Sequence, residues 1–188
     1  MKHIAIFASG SGSNAENIIK YFKNTKTVSV VSVLTNNPKA QVLERAAELG
    51  VKTIIFNKSQ LNDPKWGLEN LANLDLIVLA GFLWKFPEQL LERYKNKVVN
   101  VHPALLPKYG GKGMYGMHVH EAVVKNNESE SGITIHYVNE HYDEGAIIFQ
   151  ANCTVLKTDS ATKVAAKIHQ LEMEHFPKVI QNILLSDV

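Results

Sequence analysis

Asn100 and His102 lie two residues apart directly after an apolar, β-branched segment of the chain. Side chains at this spacing point to the same side of an extended strand, so an amide donor and a titratable imidazole are directed at one place. Such a pair is able to stabilise a developing oxyanion. A second interpretation stays open at this point, in which Asn100 caps a turn and His102 is a hydrogen-bonded core histidine.

A carboxylate partner for this histidine is available in the segment Asp143-Glu144-Gly145, between two predicted strands. An Asp hydrogen-bonded to His raises the pKa of the imidazole and fixes the orientation of the ring. Taken alone, however, Asp-Glu-Gly is typical of a hairpin turn. The segment becomes informative only together with Asn100 and His102.

A glycine-rich loop, Gly10-Ser11-Gly12-Ser13-Asn14-Ala15, follows the first predicted strand and matches the pattern of dinucleotide sites. The acidic residue that such sites need after the second strand is missing, because Thr35-Asn36-Asn37 occurs there. What remains favours a monophosphate site, since free N–H groups at a helix start attract anions and Ser11, Ser13 and Asn14 add donors. An ordinary turn capped by Ser13 is the alternative.

The elements that position these residues follow from the hydrophobic pattern. Apolar, β-branched runs alternate with amphipathic segments, which predicts a parallel sheet with helices on both faces. Strands are predicted near Ile4–Ala8, Val28–Leu34, Thr53–Phe56, Leu76–Ala80 and Val98–Val101. Helices are predicted near Ala15–Phe22, Lys39–Leu49, Gly67–Leu74 and Pro87–Tyr94. The glycine loop and the Asn100–His102 pair therefore fall at strand carboxyl ends, where open sheets bind ligands.

The last third of the chain has a different pattern. A glycine-rich loop over 110–116 leads to a predicted helix around His120–Lys125. The strands predicted at Gly132–Val138 and Ala146–Val155 are joined too closely for a crossover helix and are therefore antiparallel.

A final helix is predicted from Asp159 or Ser160 to about Leu185, with Pro177 as a kink or a break. The fold class predicted for residues 1–188 is a single-domain α/β, Rossmann-like open twisted sheet. It is mostly parallel, with an antiparallel C-terminal pair.

The composition favours one domain that acts on small molecules. The 188 residues, 45% of them hydrophobic, suffice for one sizeable core but are few for two ordinary domains. The net charge of +2, without a long block of one sign, does not indicate a nucleic-acid surface. Since Arg45 and Arg93 are the only arginines, backbone amides are expected to bind any phosphate.

Several features predict a cytoplasmic protein without a membrane segment or a metal. The lone Cys153 excludes a disulfide framework, and the amino-terminal apolar run is too short for a signal peptide. No run approaches the roughly 20 residues of a membrane span. A metal site is disfavoured because no His-Glu-x-x-His and no cysteine partner accompany the four candidate histidines. These are His102, His118, His120 and His141.

Several motifs together resemble one enzyme family. They are Gly10-Ser11-Gly12-Ser13-Asn14, Ala80-Gly81-Phe82, Asn100-Val101-His102-Pro103 with Leu105-Leu106-Pro107, and Tyr142-Asp143-Glu144-Gly145. In this order and over nearly the whole chain, they are similar to the phosphoribosylglycinamide formyltransferase family. The resemblance implies formyl transfer from 10-formyltetrahydrofolate, as co-substrate, to the amine of glycinamide ribonucleotide in purine synthesis. It also implies small-molecule partners, and a monomer or weak homodimer.

The resemblance implies a role for individual residues. Asn100, His102 and Asp143 match the catalytic trio, and residues 10–14 match the loop that binds the substrate phosphate. Gly81 and Glu172 match other substrate contacts. The residues that match the folate site are Lys58, Leu83, Trp84, Lys85, Phe86, Asn100 and Val138. In that site the family commonly has a basic residue where this chain has Trp84, and the loop Gly110–Gly116 resembles extended-loop members.

Three other functions compete with this prediction. A formyltetrahydrofolate deformylase would use the same trio with water as nucleophile, but we expect it to carry a regulatory domain before the glycine loop. A methionyl-tRNA formyltransferase should carry a basic domain after Val188. A non-catalytic nucleotide-binding module is possible on fold alone, although it would not explain the joint occurrence of Asn100, His102 and Asp143.

Overall fold

Seven strands form one mixed sheet in the computed structural model, which describes residues 1–185. They are β1 (Lys2–Phe7), β2 (Val28–Thr35), β3 (Lys52–Ile55), β4 (Leu76–Leu79), β5 (Val98–His102), β6 (Glu130–Tyr137) and β7 (Ile147–Thr154). Their order across the sheet is β3-β2-β1-β4-β5-β6-β7. The first five strands pair in parallel, and β6 and β7 extend the sheet antiparallel. The predicted fold class is confirmed, and the last three residues of the predicted 1–188 domain lie outside the described residues.

Helices cover both faces of the sheet. They are α1 (Ser13–Lys23), α2 (Val42–Glu48), α3 (Lys58–Leu61), α4 (Pro64–Asn70), α5 (Glu88–Arg93), α6 (Met117–Lys125) and α7 (Ala161–Leu185). The prediction for Gly67–Leu74 was wrong in position, because the Asp63 side chain caps the helix and Pro64 occupies its first turn. The short helix α3, which begins with a capping box at Asn57, was not predicted.

The buried side chains form one core on each face of the sheet. Successive β1 residues alternate between them, since Ile4 and Ile6 pack against α1, α2, α6 and α7, whereas Ala5 and Phe7 pack against α3, α4 and α5. The second core is aromatic, and the Phe7 ring makes edge contacts with Phe56, Phe82 and Phe86 at 5.3 to 5.6 Å between centroids.

Of the two alternatives predicted at Pro177, a kink or a break, the break is not present, because α7 continues through this residue. Proline has no N–H and leaves the carbonyl four residues earlier without its helical partner. Here that carbonyl belongs to Met173, and the Asn17 side chain donates a hydrogen bond to it at 2.8 Å. The same hydrogen bond ties α7 to α1.

The strand order reverses between β1 and β4. The chain winds from β1 through β2 to β3 in one direction and then returns to β4 on the other side of β1. At such a switch point the loops after neighbouring strands separate and leave a crevice at the carboxyl edge. The glycine loop after β1 and the segment Ala80–Phe82 after β4 lie at this crevice.

Candidate active site

Ser9 joins the loops that follow β1, β2 and β4. Its N–H donates to the carbonyl of Gly81 at 3.0 Å, and its hydroxyl accepts from Leu83 N–H at 3.1 Å and donates to Asn36 Oδ1 at 2.7 Å. Gly81 has φ +77°, a conformation that favours glycine. The buried Ser9 therefore fixes the crevice, although the sequence analysis did not single it out.

The glycine loop leads into α1 without a side-chain cap. Gly12 is the N-cap residue with φ +74°, and a Cβ there would lie 2.3 Å from Val42 Cγ2, so only glycine fits. The alternative of a Ser13 cap is not what the structure has. Because no side chain caps α1, its first-turn N–H groups and positive dipole end are available to an anion.

A polar contact connects this loop to the last helix. Asn14 Nδ2 donates to Glu172 Oε2 at 2.8 Å, and the same oxygen lies 3.5 Å from Nδ1 of His169. The hydrogen bond with Glu172 raises the pKa of His169 above its ordinary value. Residues separated by more than 150 positions thus meet at one end of the crevice.

Asn100, His102 and Asp143 are brought together at the end of β5. His102 Nε2 lies 2.7 Å from the backbone oxygen of Tyr109, which only accepts, so this nitrogen carries a proton. Its Nδ1 faces Asp143 Oδ2 at 3.5 Å. Both nitrogens of the ring therefore face acceptors, an arrangement that favours the imidazolium form.

Burial works against that charge. It lowers the pKa of His102 below the ordinary imidazole value, and the Asp143 carboxylate and the Tyr109 carbonyl offset only part of the effect. The sequence predicted that the Asp143 carboxylate would raise the pKa of His102. In the structure burial outweighs the carboxylate, and the pKa of His102 is lowered instead. Burial also opposes ionisation of Asp143, but the nearby His136 ring, the His102 charge and the Gly111 N–H together hold its pKa below the ordinary value.

His136 completes this cluster and was missed by the sequence analysis. It pairs with Asn100 across the β5–β6 ladder, its Nε2 accepts from Asn100 Nδ2 at 3.1 Å, and the same nitrogen is 3.7 Å from Asp143 Oδ1. Nδ1 donates to the carbonyl of Tyr137 at 2.8 Å, which leaves Nε2 as the acceptor in the neutral ring. A buried histidine within an apolar strand was the available signal.

Two cavities receive most of the predicted site residues. The large cavity, of about 880 Å³, contains residues 10–14, Gly81, Asn100, His102, Asp143 and Glu172 in its lining. The adjoining small cavity, of about 550 Å³, is lined by Lys58, Leu83, Trp84, Lys85 and Phe86 among others. Leu83 and Tyr142 border both. Val138 is not in either lining and packs against the aromatic core.

Trp84 forms one wall of the small cavity. Its half-buried ring packs on Phe56 and Phe82, with centroids 6.2 and 6.4 Å apart. Lys58 and Lys85 belong to the same lining, and Lys85 Nζ lies 3.2 Å from Oε1 of Glu88, which also lines this cavity. A flat apolar wall beside cations suits a heterocycle with an anionic tail.

Comparison with known proteins identifies the family. The model of the family described as "Formyl transferase" matches residues 2–180. The chain belongs to the formyl transferase family.

Two features are absent from residues 1–185 of this formyl transferase chain. No helix there is both long and apolar enough to cross a membrane. No group of three or more His, Cys, Asp or Glu side chains is arranged there to hold a metal ion.

Individual relatives of this formyl transferase chain carry the more specific name that the motifs suggested. It is 33% identical to the phosphoribosylglycinamide formyltransferase of Bacillus subtilis, covering 98% of this chain and 95% of that protein. It is 36% identical to the chloroplastic enzyme of Vigna unguiculata, of whose length it spans 60%. The structure of glycinamide ribonucleotide transformylase 1 from Geobacillus kaustophilus matches with a TM-score of 0.88, 32% identity and coverage of 98% and 99% of the two chains. The resemblance inferred from the motifs is confirmed.

Proposed function

We propose that the protein transfers a formyl group from 10-formyltetrahydrofolate to the amine of glycinamide ribonucleotide. One observation carries the proposal: the uncapped, glycine-rich start of α1 and the Asn100–His102–Asp143 group lie in the same cavity. A substrate with a phosphate at one end and an amine at the other has a fitting group at each end. Relatives with the corresponding name support the same assignment.

The residues suit a direct displacement. The substrate amine attacks the formyl carbon, a C–N bond forms, and the carbonyl oxygen becomes an oxyanion. Asn100 Nδ2 and protonated His102 would donate hydrogen bonds to that oxygen. Collapse of the tetrahedral intermediate breaks the bond to the folate nitrogen, and Asp143, through water, would help the ammonium proton reach that nitrogen.

For His102 to donate to the oxyanion, its ring must give up a present partner. His102 Nε2 donates a hydrogen bond to the backbone oxygen of Tyr109, which is the residue before the glycine-rich loop. Within that loop, the N–H of Gly111 donates to Asp143 Oδ2 at 2.9 Å. A small shift of residues 109–113 would release both His102 Nε2 and the Asp143 carboxylate from these hydrogen bonds. Gly111 and Gly113, with φ of +91° and +92°, provide conformational freedom for it.

The small cavity is the proposed site of the folate. Trp84, Leu83 and Phe86 offer the apolar surface, and Lys58 and Lys85 would attract the anionic tail. The folate would act as a co-substrate, without a metal. Both substrates are small molecules, and the lone Cys153 supports a reducing cytoplasm as the location.

A single assay separates this proposal from a deformylase. The protein is incubated with 10-formyltetrahydrofolate, with and without glycinamide ribonucleotide, and the release of tetrahydrofolate is followed. We expect release that depends on the ribonucleotide and yields one formylated ribonucleotide for each folate consumed. Release at the same rate without the ribonucleotide would support hydrolysis instead. No release under either condition would contradict both enzymatic functions.

A further inference from the structure

We propose that His120 binds the middle of the ribonucleotide substrate, its Nε2–H donating a hydrogen bond to the carbonyl oxygen of the glycinamide. The proposal rests on the proposed function, because it assumes that substrate. It concerns a residue to which neither the motifs nor the mechanism assign a role. It is based on the hydrogen-bonding state of three buried histidines and on the place of His120 in the lining of the large cavity.

His120 is the buried histidine without a hydrogen-bond partner. It lies on α6, is 5% exposed, and is part of the lining of the large cavity. Its Nδ1 is fully buried and unpartnered among residues 1–185. By contrast, the buried rings of His102 and His136 use both nitrogens. In His120 only Nδ1 is sealed off, so Nε2, which has no hydrogen-bond partner in the described part of the chain, is the nitrogen that a ligand in the cavity is able to reach.

The environment selects one tautomer of this ring. Burial lowers the pKa of His120, and the nearby Glu172 only partly opposes the effect, which favours the neutral ring. Buried N–H groups without an acceptor are rarer than buried acceptors without a donor, so the proton belongs on Nε2 rather than on the sealed Nδ1. His120 therefore presents a neutral N–H donor to the cavity.

The position of the ring matches the middle of the substrate. His120 lines the same cavity as Glu172, which is hydrogen-bonded to Asn14 of the glycine loop, and as His102 of the proposed catalytic group. A ribose and an amide connect the phosphate and the amine of glycinamide ribonucleotide, so this part passes His120 when both ends are bound. The ribose hydroxyls have hydrogens to donate to Glu172, whereas the amide carbonyl only accepts and needs a donor.

Three variants test the donor. His120→Leu removes the N–H at similar volume, His120→Gln keeps an amide donor near the position of Nε2, and His175→Leu is a matched control on α7, outside the cavity lining. We expect His120→Leu to raise KM for the ribonucleotide roughly 10-fold or more, with KM for 10-formyltetrahydrofolate unchanged. His120→Gln should recover most of the loss, and His175→Leu should show none.

Stability distinguishes binding from a structural role. Because His120→Leu removes an unpartnered buried polar group, its melting temperature should be equal to or above that of the wild type. A lower melting temperature with unchanged KM would overturn the proposal. Equal losses in the Leu and Gln variants would also overturn it, because then the donor would not matter.

A substrate analogue tests which atom is bound. In this analogue a methylene replaces the glycinamide carbonyl. The wild type should bind it roughly 10-fold more weakly than the natural ribonucleotide, whereas His120→Leu should discriminate much less. The same discrimination in both proteins would overturn the carbonyl assignment.

Failure of the proposed function and failure of this inference are distinguishable. If the wild type transfers no formyl group to the ribonucleotide at all, the proposed function fails and this inference fails with it. If transfer is normal but the KM of His120→Leu for the ribonucleotide is unchanged, only the inference fails.

Discussion

The two ends of the large cavity handle charge with different parts of the chain. At the phosphate end, residues 10–14 present N–H groups of a loop and a helix start, and Gly12 lets the backbone turn closely against Val42. At the proposed catalytic end the charge is handled by side chains: His102 of β5 faces Asp143 at 3.5 Å, and His136 of β6 contacts both Asn100 and Asp143.

Because one end uses backbone groups and the other uses side chains, we expect the two ends to tolerate different changes. Backbone dipoles carry no titratable proton, so the phosphate end should be insensitive to pH except through the His169–Glu172 contact. The catalytic end depends on the balance between the burial of His102 and the charge of Asp143, so it should respond strongly to pH and to single substitutions.

The largest effect is expected from removing an oxyanion donor at the catalytic end. Asn100→Ala should lower kcat by about 10²–10³, and His102→Ala by at least as much, because each removes a group that acts on the transition state. Binding of both substrates, measured by calorimetry, should stay within a few fold. A variant that loses mainly binding would show that the catalytic end acts on the ground state.

Asp143→Asn should lower kcat by about 10²-fold and displace the pH profile. In the proposed mechanism, activity requires protonated His102 and is lost as pH rises through the pKa of this ring. The carboxylate favours the protonated ring against burial, so its removal lowers the pKa of His102 further, and the basic limb must move to lower pH. Steady-state rates over a pH series measure the shift. If the basic limb stays in place or moves to higher pH, the Asp143 carboxylate does not raise the pKa of His102 and the prediction is wrong.

A smaller and selective effect is expected at the phosphate end. Asn14→Asp would place a second carboxylate against Glu172 Oε2, now 2.8 Å from Asn14 Nδ2, and against the phosphate. Repulsion should weaken ribonucleotide binding roughly 10-fold or more while folate binding is nearly unchanged. Asn14→Ala, which adds no charge, is the comparison and should lose less. Equal loss of both ligands in calorimetry would contradict the separation of the two ends.

The smallest effect concerns the small cavity. Trp84 forms its wall, whereas Trp66 is buried in the aromatic core. Addition of a folate analogue should therefore change the emission of Trp84, and Trp84→Phe should abolish most of this change while altering kcat only a few fold. The same spectral change in the variant would assign the signal to Trp66 and argue against a folate in this cavity.

The local sequence pattern was enough to predict most of the helices and strands, whereas the roles of the residues chosen at each end of the cavity stay predictions. Runs such as Ile4–Ala8 and Val98–Val101 are apolar and β-branched, and both appear as strands within two residues of the prediction. Boundaries were wrong where a local cap outweighed the hydrophobic pattern, as at Asp63 and Pro64. The prediction for Pro177 missed that Asn17 supplies a donor to the carbonyl that the proline frees.

Contacts between distant segments became known only from the folded structure. The pairing of β5 with β6 sets Asn100 opposite His136, and the packing of α7 on α1 brings Glu172 to Asn14. Residue type and strand or helix spacing are local properties, so the sequence alone shows which side chains are available as donors, acceptors or titratable groups. Strand register and helix packing depend on the whole core, and they set which of these groups share a hydrogen bond or a cavity wall.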